Sequence, residues 1–110
     1  MQIYKTPLRE FKFLIEDFLN LKESETLKKL DLETSDLMLI IEEAAKLCEE
    51  TLLPLNQSGD SEGCSFNNGV VTAPKGFKEA YKTFSENGWQ GLKVKEEFGG
   101  QNLPYIMNMI

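Results

Sequence analysis

Few residue types in this chain could do chemistry. It has no histidine, and its two cysteines, Cys48 and Cys64, stand outside any C-x-x-C spacing. Neither a zinc set nor a thiol beside a base can be assembled from such neighbours. Both cysteines are read as reduced thiols, Cys48 on a buried helix face and Cys64 in a loop. Glu96 and Glu97 are adjacent carboxylates. Adjacent side chains diverge, whereas acid–base work needs a shared geometry and a shifted pKa, so surface charge is their plain reading. The run Asp60-Ser61-Glu62-Gly63 has calcium-loop flavour without the required oxygen spacing or a closing glutamate. Asn56-Gln57-Ser58 fits a glycosylation sequon, which matters only in a secreted protein. Gly99-Gly100 ahead of a helix start could hold an anion, because free amides and the helix dipole would converge there. No G-x-G-x-x-G or Walker pattern accompanies it, and two glycines more often make a simple turn. The residues therefore assign no catalytic, cofactor-binding or metal-ligating position, and leave any substrate contact open.

Composition narrows the class further. At 110 residues, 41% hydrophobic and 27% charged, the chain has the size and make-up of a single globular domain. Twelve basic against 18 acidic residues, net −6, argues against a nucleic-acid surface, which needs clustered cations. No apolar run approaches the roughly 20 residues that span a bilayer, and residues 1–9 lead into a charged amphipathic segment, not a signal-peptide core. A cytoplasmic protein with no membrane span is the expectation.

The elements that would position any site follow from periodicity. Over residues 36–54, Leu37, Ile40, Ile41, Ala44, Ala45, Leu47, Cys48, Thr51 and Leu52 share one broad arc of a helical wheel. Glu42, Glu43, Lys46, Glu49 and Glu50 occupy the other side. Thr34, Ser35 and Asp36 offer capping oxygens, and Pro54 predicts the stop. So wide an arc needs cover from at least two further elements. Thr6-Pro7 predicts a helix entry followed by a stripe of Leu8, Phe11, Leu14, Ile15, Phe18 and Leu19, with Phe13 alone on the polar side. Phe13 is either a partly exposed aromatic or a contact for a further domain or subunit. A short connector helix is expected over residues 24–30, anchored by Leu27 and Leu30. Residues 54–73 read as a long irregular loop with positive φ at Gly59 and Gly63, relieved by a turn at Asn67-Asn68-Gly69 and a few extended residues. Pro74 and Gly76 open a helix carrying Phe77, Ala80, Tyr81 and Phe84, capped by Gly88, with Trp89 folding back over its end. Pro104 predicts the first residue of a last helix with no stop signal, and five of the last six residues are apolar. That pattern is read as a chain continuing past Ile110.

In order along the chain, Tyr4, Pro7-Leu8-Arg9, Phe13-Leu14, Glu42-Glu43-Ala44-Ala45-Lys46, Leu53-Pro54-Leu55-Asn56, Gly59-Asp60 and Glu62-Gly63 resemble the start of acyl-CoA dehydrogenases. The likeness continues through Pro74-Lys75-Gly76-Phe77-Lys78-Glu79-Ala80-Tyr81, Gly88-Trp89 and Phe98-Gly99-Gly100-Gln101-Asn102-Leu103-Pro104. Within that family, the extended N-terminus with Leu55-Asn56-Gln57-Ser58-Gly59-Asp60-Ser61-Glu62-Gly63-Cys64 and Asn68-Gly69-Val70-Val71 looks like the 3-methylmercaptopropionyl-CoA dehydrogenase branch. Where the family usually has a third glycine this chain has Asn102, which tolerates the left-handed region, so the turn is expected to be kept.

The resemblance implies an all-α, N-terminal helical domain over residues 1–110, a fragment of a larger flavoenzyme that oxidises an acyl-CoA thioester to the 2,3-enoyl-CoA. It implies FAD held elsewhere in the full-length protein, an electron-transfer-flavoprotein-like acceptor and a homo-oligomer. This segment would wall the substrate site without supplying a catalytic group, and would be inactive alone. The rival expectation is a free-standing helical module that binds another protein through Phe13 and residues 105–110.

Overall fold

The computed structural model describes residues 3–110. Helix α3 (Thr34–Lys46) lies at its centre, with Leu37, Met38, Ile41 and Ala45 buried. Ile40, Ala44, Leu47, Cys48 and Thr51 are half-buried along the same arc, and Leu52 lies exposed at its edge. Its entry is tied one residue earlier than the sequence suggests: Glu33 is the cap position, and its N–H donates to the Asp36 carboxylate at 2.8 Å.

The helix does not stop at Pro54. Beyond Lys46 it widens into a π-helical turn, Leu47–Leu52, in which the Leu53 N–H donates to the Cys48 carbonyl. It then runs on as α4 (Leu53–Glu62). Proline in an ordinary helix meets the carbonyl four residues back and gives it no proton. The wide turn just before Pro54 shifts that register, so the rod passes through it. Residues 34–62 form one helical rod, roughly 43 Å long at about 1.5 Å per residue.

The long irregular loop expected over residues 54–73 is therefore corrected: its first half is α4. Gly59, expected at positive φ, is helical and buried, whereas Gly63 does take a positive φ of 67°. The inward residues of α4 are Leu53, Leu55 and Gly59. A Cβ placed on Gly59 would lie 2.4 Å from the Phe77 ring, and one on Gly76 would lie 2.7 Å from Leu55 Cδ2. A packing face built on a glycine carries almost no hydrophobic signal, which is why the pattern reads as a loop.

The remaining elements follow local chemistry. Strands β1 (Ser65–Asn67) and β2 (Val70–Thr72) pair antiparallel with Phe66 opposite Val71. Asn68 and Gly69 between them both have positive φ, 50° and 80°, the turn that suits a two-residue hairpin. Helix α5 (Phe77–Glu86) starts at Gly76 and packs by Ala80, and Gly88, at φ 76°, follows its end as expected. Helix α2 (Glu25–Leu30) is capped by Ser24 Oγ, which accepts the Leu27 N–H at 3.2 Å, and buries Leu27. Apart from the hairpin, the described residues form only helices, turns and connecting segments, and the fold is all-α.

At the N-terminal side α1 (Leu8–Phe13) continues into a π turn, Leu14–Phe18. Thr6 does not cap it: no side-chain bond is made there, and the Thr6 hydroxyl is buried without a well-formed hydrogen bond. Of the stripe, Ile15 is buried, Leu8 and Phe11 are half-buried, and Leu14, Phe18 and Leu19 are exposed. Phe13 is 55% exposed. Leu14, Phe18 and Leu19 line a shallow groove with Ile106 and Ile110, where the last helix expected from Pro104 is a single 3-10 turn, Tyr105–Asn108. Pro104 precedes that turn with ψ of 148°, outside the helical region. Met107 from this turn is buried, while Tyr105, Met109 and Ile110 are exposed.

These elements make a slab. Its extents are 55 × 37 × 15 Å and its radius of gyration is 17.2 Å, against about 13 Å for a compact domain of this length. The shortest extent is little more than one helix thick. The core is correspondingly small: Ile15, Leu27, Leu37, Met38, Ile41 and Met107 form one buried cluster.

Candidate functional site

An apolar groove of about 410 Å3 lies where the N-terminal residues, α3 with its π turn, the end of α5 and the last turn meet. Tyr4, Ile40, Cys48, Phe84, Trp89 and Met107 are among its lining residues. The wide turn sets Leu47 and Cys48 along one wall. Gly88, left-handed after α5, turns the chain, and the half-buried Trp89 that follows it joins Ile40 and Phe84 in the groove lining. Polar groups at its edge are few: Thr6, Gln90 and Asn108. Such a surface suits an apolar guest with little hydrogen bonding.

One charged cluster borders it. Glu49, on the π turn, accepts from Lys5 Nζ at 2.8 Å and from the Thr6 N–H at 2.8 Å. The Lys5 ammonium, and next the Thr6 amide, hold the Glu49 carboxyl well below its ordinary range, at about 2. Glu49 in turn raises the Lys5 pKa. Nothing in the sequence pairs these residues, because they lie 43 and 44 positions apart and Glu49 sits on the polar arc of its helix.

The positions singled out from sequence are not brought together. The Gly99-Gly100 amides donate to the carbonyls of Glu96, at 2.9 Å, and Lys95, at 3.1 Å. The segment is a turn, and the helix expected to follow it is only the 3-10 turn, so the anion site does not form. Asn102 does take the left-handed conformation, φ 52°, and donates its N–H to the Val94 carbonyl at 2.8 Å. The close packing here is at Gly100, where a Cβ would fall 2.0 Å from the Val94 oxygen. Glu96 and Glu97 are exposed, and Glu97 pairs with Lys95 at 3.6 Å. Glu62 directs its carboxylate at the Lys75 N–H, 3.1 Å away, which closes the base of the hairpin. Asn56 and Ser58 lie on α4, where the Ser58 hydroxyl donates to the Pro54 carbonyl at 3.3 Å. Cys48 is half-buried in the groove wall and Cys64 is exposed before β1; both are free thiols.

Anchoring the pyrophosphate of a dinucleotide takes unused amides or cations turned on it. The Gly99-Gly100 amides are already bonded within their own turn. This turn does not fit FAD.

No protein-family model matches the chain. Among curated proteins, it is 36% identical over 105 residues to 3-methylmercaptopropionyl-CoA dehydrogenase of Ruegeria pomeroyi. That alignment takes in 94% of this chain and 18% of the Ruegeria protein, so the chain spans less than a fifth of its relative's length. No described helix is long and apolar enough to cross a membrane. Over nearly all of its residues, then, the chain is similar to part of a protein named as an acyl-CoA dehydrogenase.

Proposed function

We propose that residues 1–110 act as the N-terminal helical part of an acyl-CoA dehydrogenase and wall its substrate site without giving a catalytic group. The observation that carries this reading is the 36% identity to a protein named as an acyl-CoA dehydrogenase, over 94% of this chain. The slab shape supports it: a layer 15 Å deep with Phe13, Phe18 and Tyr105 exposed is a wall awaiting cover, not a closed globule.

The chemistry asks for such a wall. Oxidising an acyl-CoA thioester to the 2,3-enoyl-CoA removes a proton from the α-carbon and a hydride from the β-carbon. Excluding water from the reacting carbons protects that transfer. The oxidant, FAD by family resemblance, and the proton acceptor are held by parts of the enzyme outside these residues. The acyl chain would be the apolar group served by this side. On the same reading the full-length enzyme is a cytoplasmic homo-oligomer that passes electrons to an electron-transfer-flavoprotein-like acceptor.

The test is direct. The 110-residue chain, mixed with FAD and a series of acyl-CoAs including 3-methylmercaptopropionyl-CoA, is expected to show neither bound-flavin absorbance nor dye reduction. Turnover by the isolated chain would overturn the proposed division of labour.

A further inference from the structure

The geometry points to a gate: we infer that residues 3–6 form a strap that opens and closes the apolar groove, with Glu49 as its latch. Tyr4 and Thr6 line the groove from one side, and Cys48 and Trp89 line it from others. Ile3, Tyr4 and Lys5 are exposed, Ile3 at 87%, so little packing holds the strap down. Its two bonds to the helical body end on one carboxylate, through Lys5 Nζ on Oε2 and the Thr6 amide on Oε1. The Glu49 side chain is only 19% exposed, whereas Lys5 is 82% exposed. The latch is thus anchored on the rod side and free on the strap side.

Two further observations fit a moving part. The Thr6 hydroxyl is buried without a well-formed hydrogen bond, its nearest polar neighbour being the same Glu49 carboxylate, and opening would give it water. Glu49 sits in the π turn Leu47–Leu52, a helical defect common where a helix serves a function instead of simple packing. Attachments that end on one group let go together when that group is removed. Segments with few apolar contacts open at low free energy in any case.

Cys48 in the groove wall reports the state of the gate. In a Cys64→Ser background Cys48 is the sole thiol, and its rate of modification by a disulfide reagent can be followed under native conditions. Glu49→Ala removes both bonds and is expected to raise that rate roughly tenfold. Glu49→Gln keeps an acceptor for the Thr6 amide, and Lys5→Met leaves that amide bond intact, so both should fall between Glu49→Ala and the parent. Leu27→Val, in the core but not among the groove's lining residues, serves as a measure of general loosening and should change the rate by less than about twofold. The gate is refuted if Glu49→Ala, Glu49→Gln and Lys5→Met all label within twofold of the parent. It is equally refuted if Leu27→Val accelerates labelling as much as they do.

Discussion

Replacing Gly100 by alanine tests the packing of the C-terminal third most sharply. The glycine's φ lies outside the left-handed region, so backbone preference alone would allow alanine there. Packing forbids it: the new Cβ would lie 2.0 Å from the Val94 carbonyl oxygen and 2.3 Å from its carbon. Both atoms are backbone and cannot rotate away. The carbonyl is held by the Asn102 N–H at 2.8 Å, and the segments on either side of this turn are tied by Gln101 N–H to Gly91 O at 3.0 Å and Leu103 N–H to Leu92 O at 2.8 Å. Overpacking of this kind costs about 1–3 kcal/mol, and losing one or two of those bonds adds about 0.5–1.5 kcal/mol each. The sum is roughly 1.5–6 kcal/mol. The neighbour Gly99 gives the contrast. Its φ is 80° and a Cβ there meets nothing within 4 Å, so Gly99→Ala pays only the left-handed penalty, about 1–2 kcal/mol. Urea unfolding read by Trp89 fluorescence and by far-ultraviolet circular dichroism separates the two. Trp89, the single tryptophan, adjoins this turn, so a local opening would shift its transition more than the helical signal. The reasoning is refuted if Gly100→Ala is no more destabilising than Gly99→Ala.

Three further substitutions probe the rest of the slab. Leu37→Ala empties a site that is fully buried in the central cluster and should cost about 2–5 kcal/mol in urea unfolding, near the whole stability of a small domain; a loss below about 1 kcal/mol would contradict the core assignment. Gly59→Ala should raise intrinsic helix propensity by about 1 kcal/mol, yet the Cβ strikes the Phe77 ring at 2.4 Å. A net loss of stability is expected, and a net gain would show that Phe77 moves aside freely. Glu49 carries the pH dependence. Its folded pKa of about 2 lies below the ordinary 4.5, so its contribution is present in full above pH 4.5 and is lost as pH falls from there toward 2. The difference in urea midpoint between the parent and Glu49→Gln should therefore be largest above pH 4.5 and shrink below it, and a difference constant with pH would exclude the latch bond.

What could be read from sequence was whatever neighbours in sequence decide. The arc of Leu37, Ile41 and Ala45, the connector helix anchored by Leu27, the Asn68-Gly69 hairpin and the left-handed Gly88 and Asn102 all rest on spacing or on one residue's conformational range. The failures share a different cause. Helix α4 is hidden because the one buried residue on it is a glycine whose partner, Phe77, lies in another element. Pro54 misled because a π turn upstream absorbs it. The last helix was expected from Pro104 and an apolar run, but those residues close only one 3-10 turn. The groove and the Lys5–Glu49–Thr6 cluster join residues more than 40 positions apart, a distance over which no periodicity speaks.

The central claim, that this chain is one wall of an acyl-CoA dehydrogenase, is tested most directly by a chimera. The 105 matched residues replace the aligned segment of the Ruegeria pomeroyi enzyme, and bound flavin and 3-methylmercaptopropionyl-CoA oxidation are measured on the purified product. A wall of the same family should give a folded protein that holds FAD and turns over substrate, with any loss falling on KM more than on kcat. A chimera that folds and holds FAD but has no dehydrogenase activity would contradict the account.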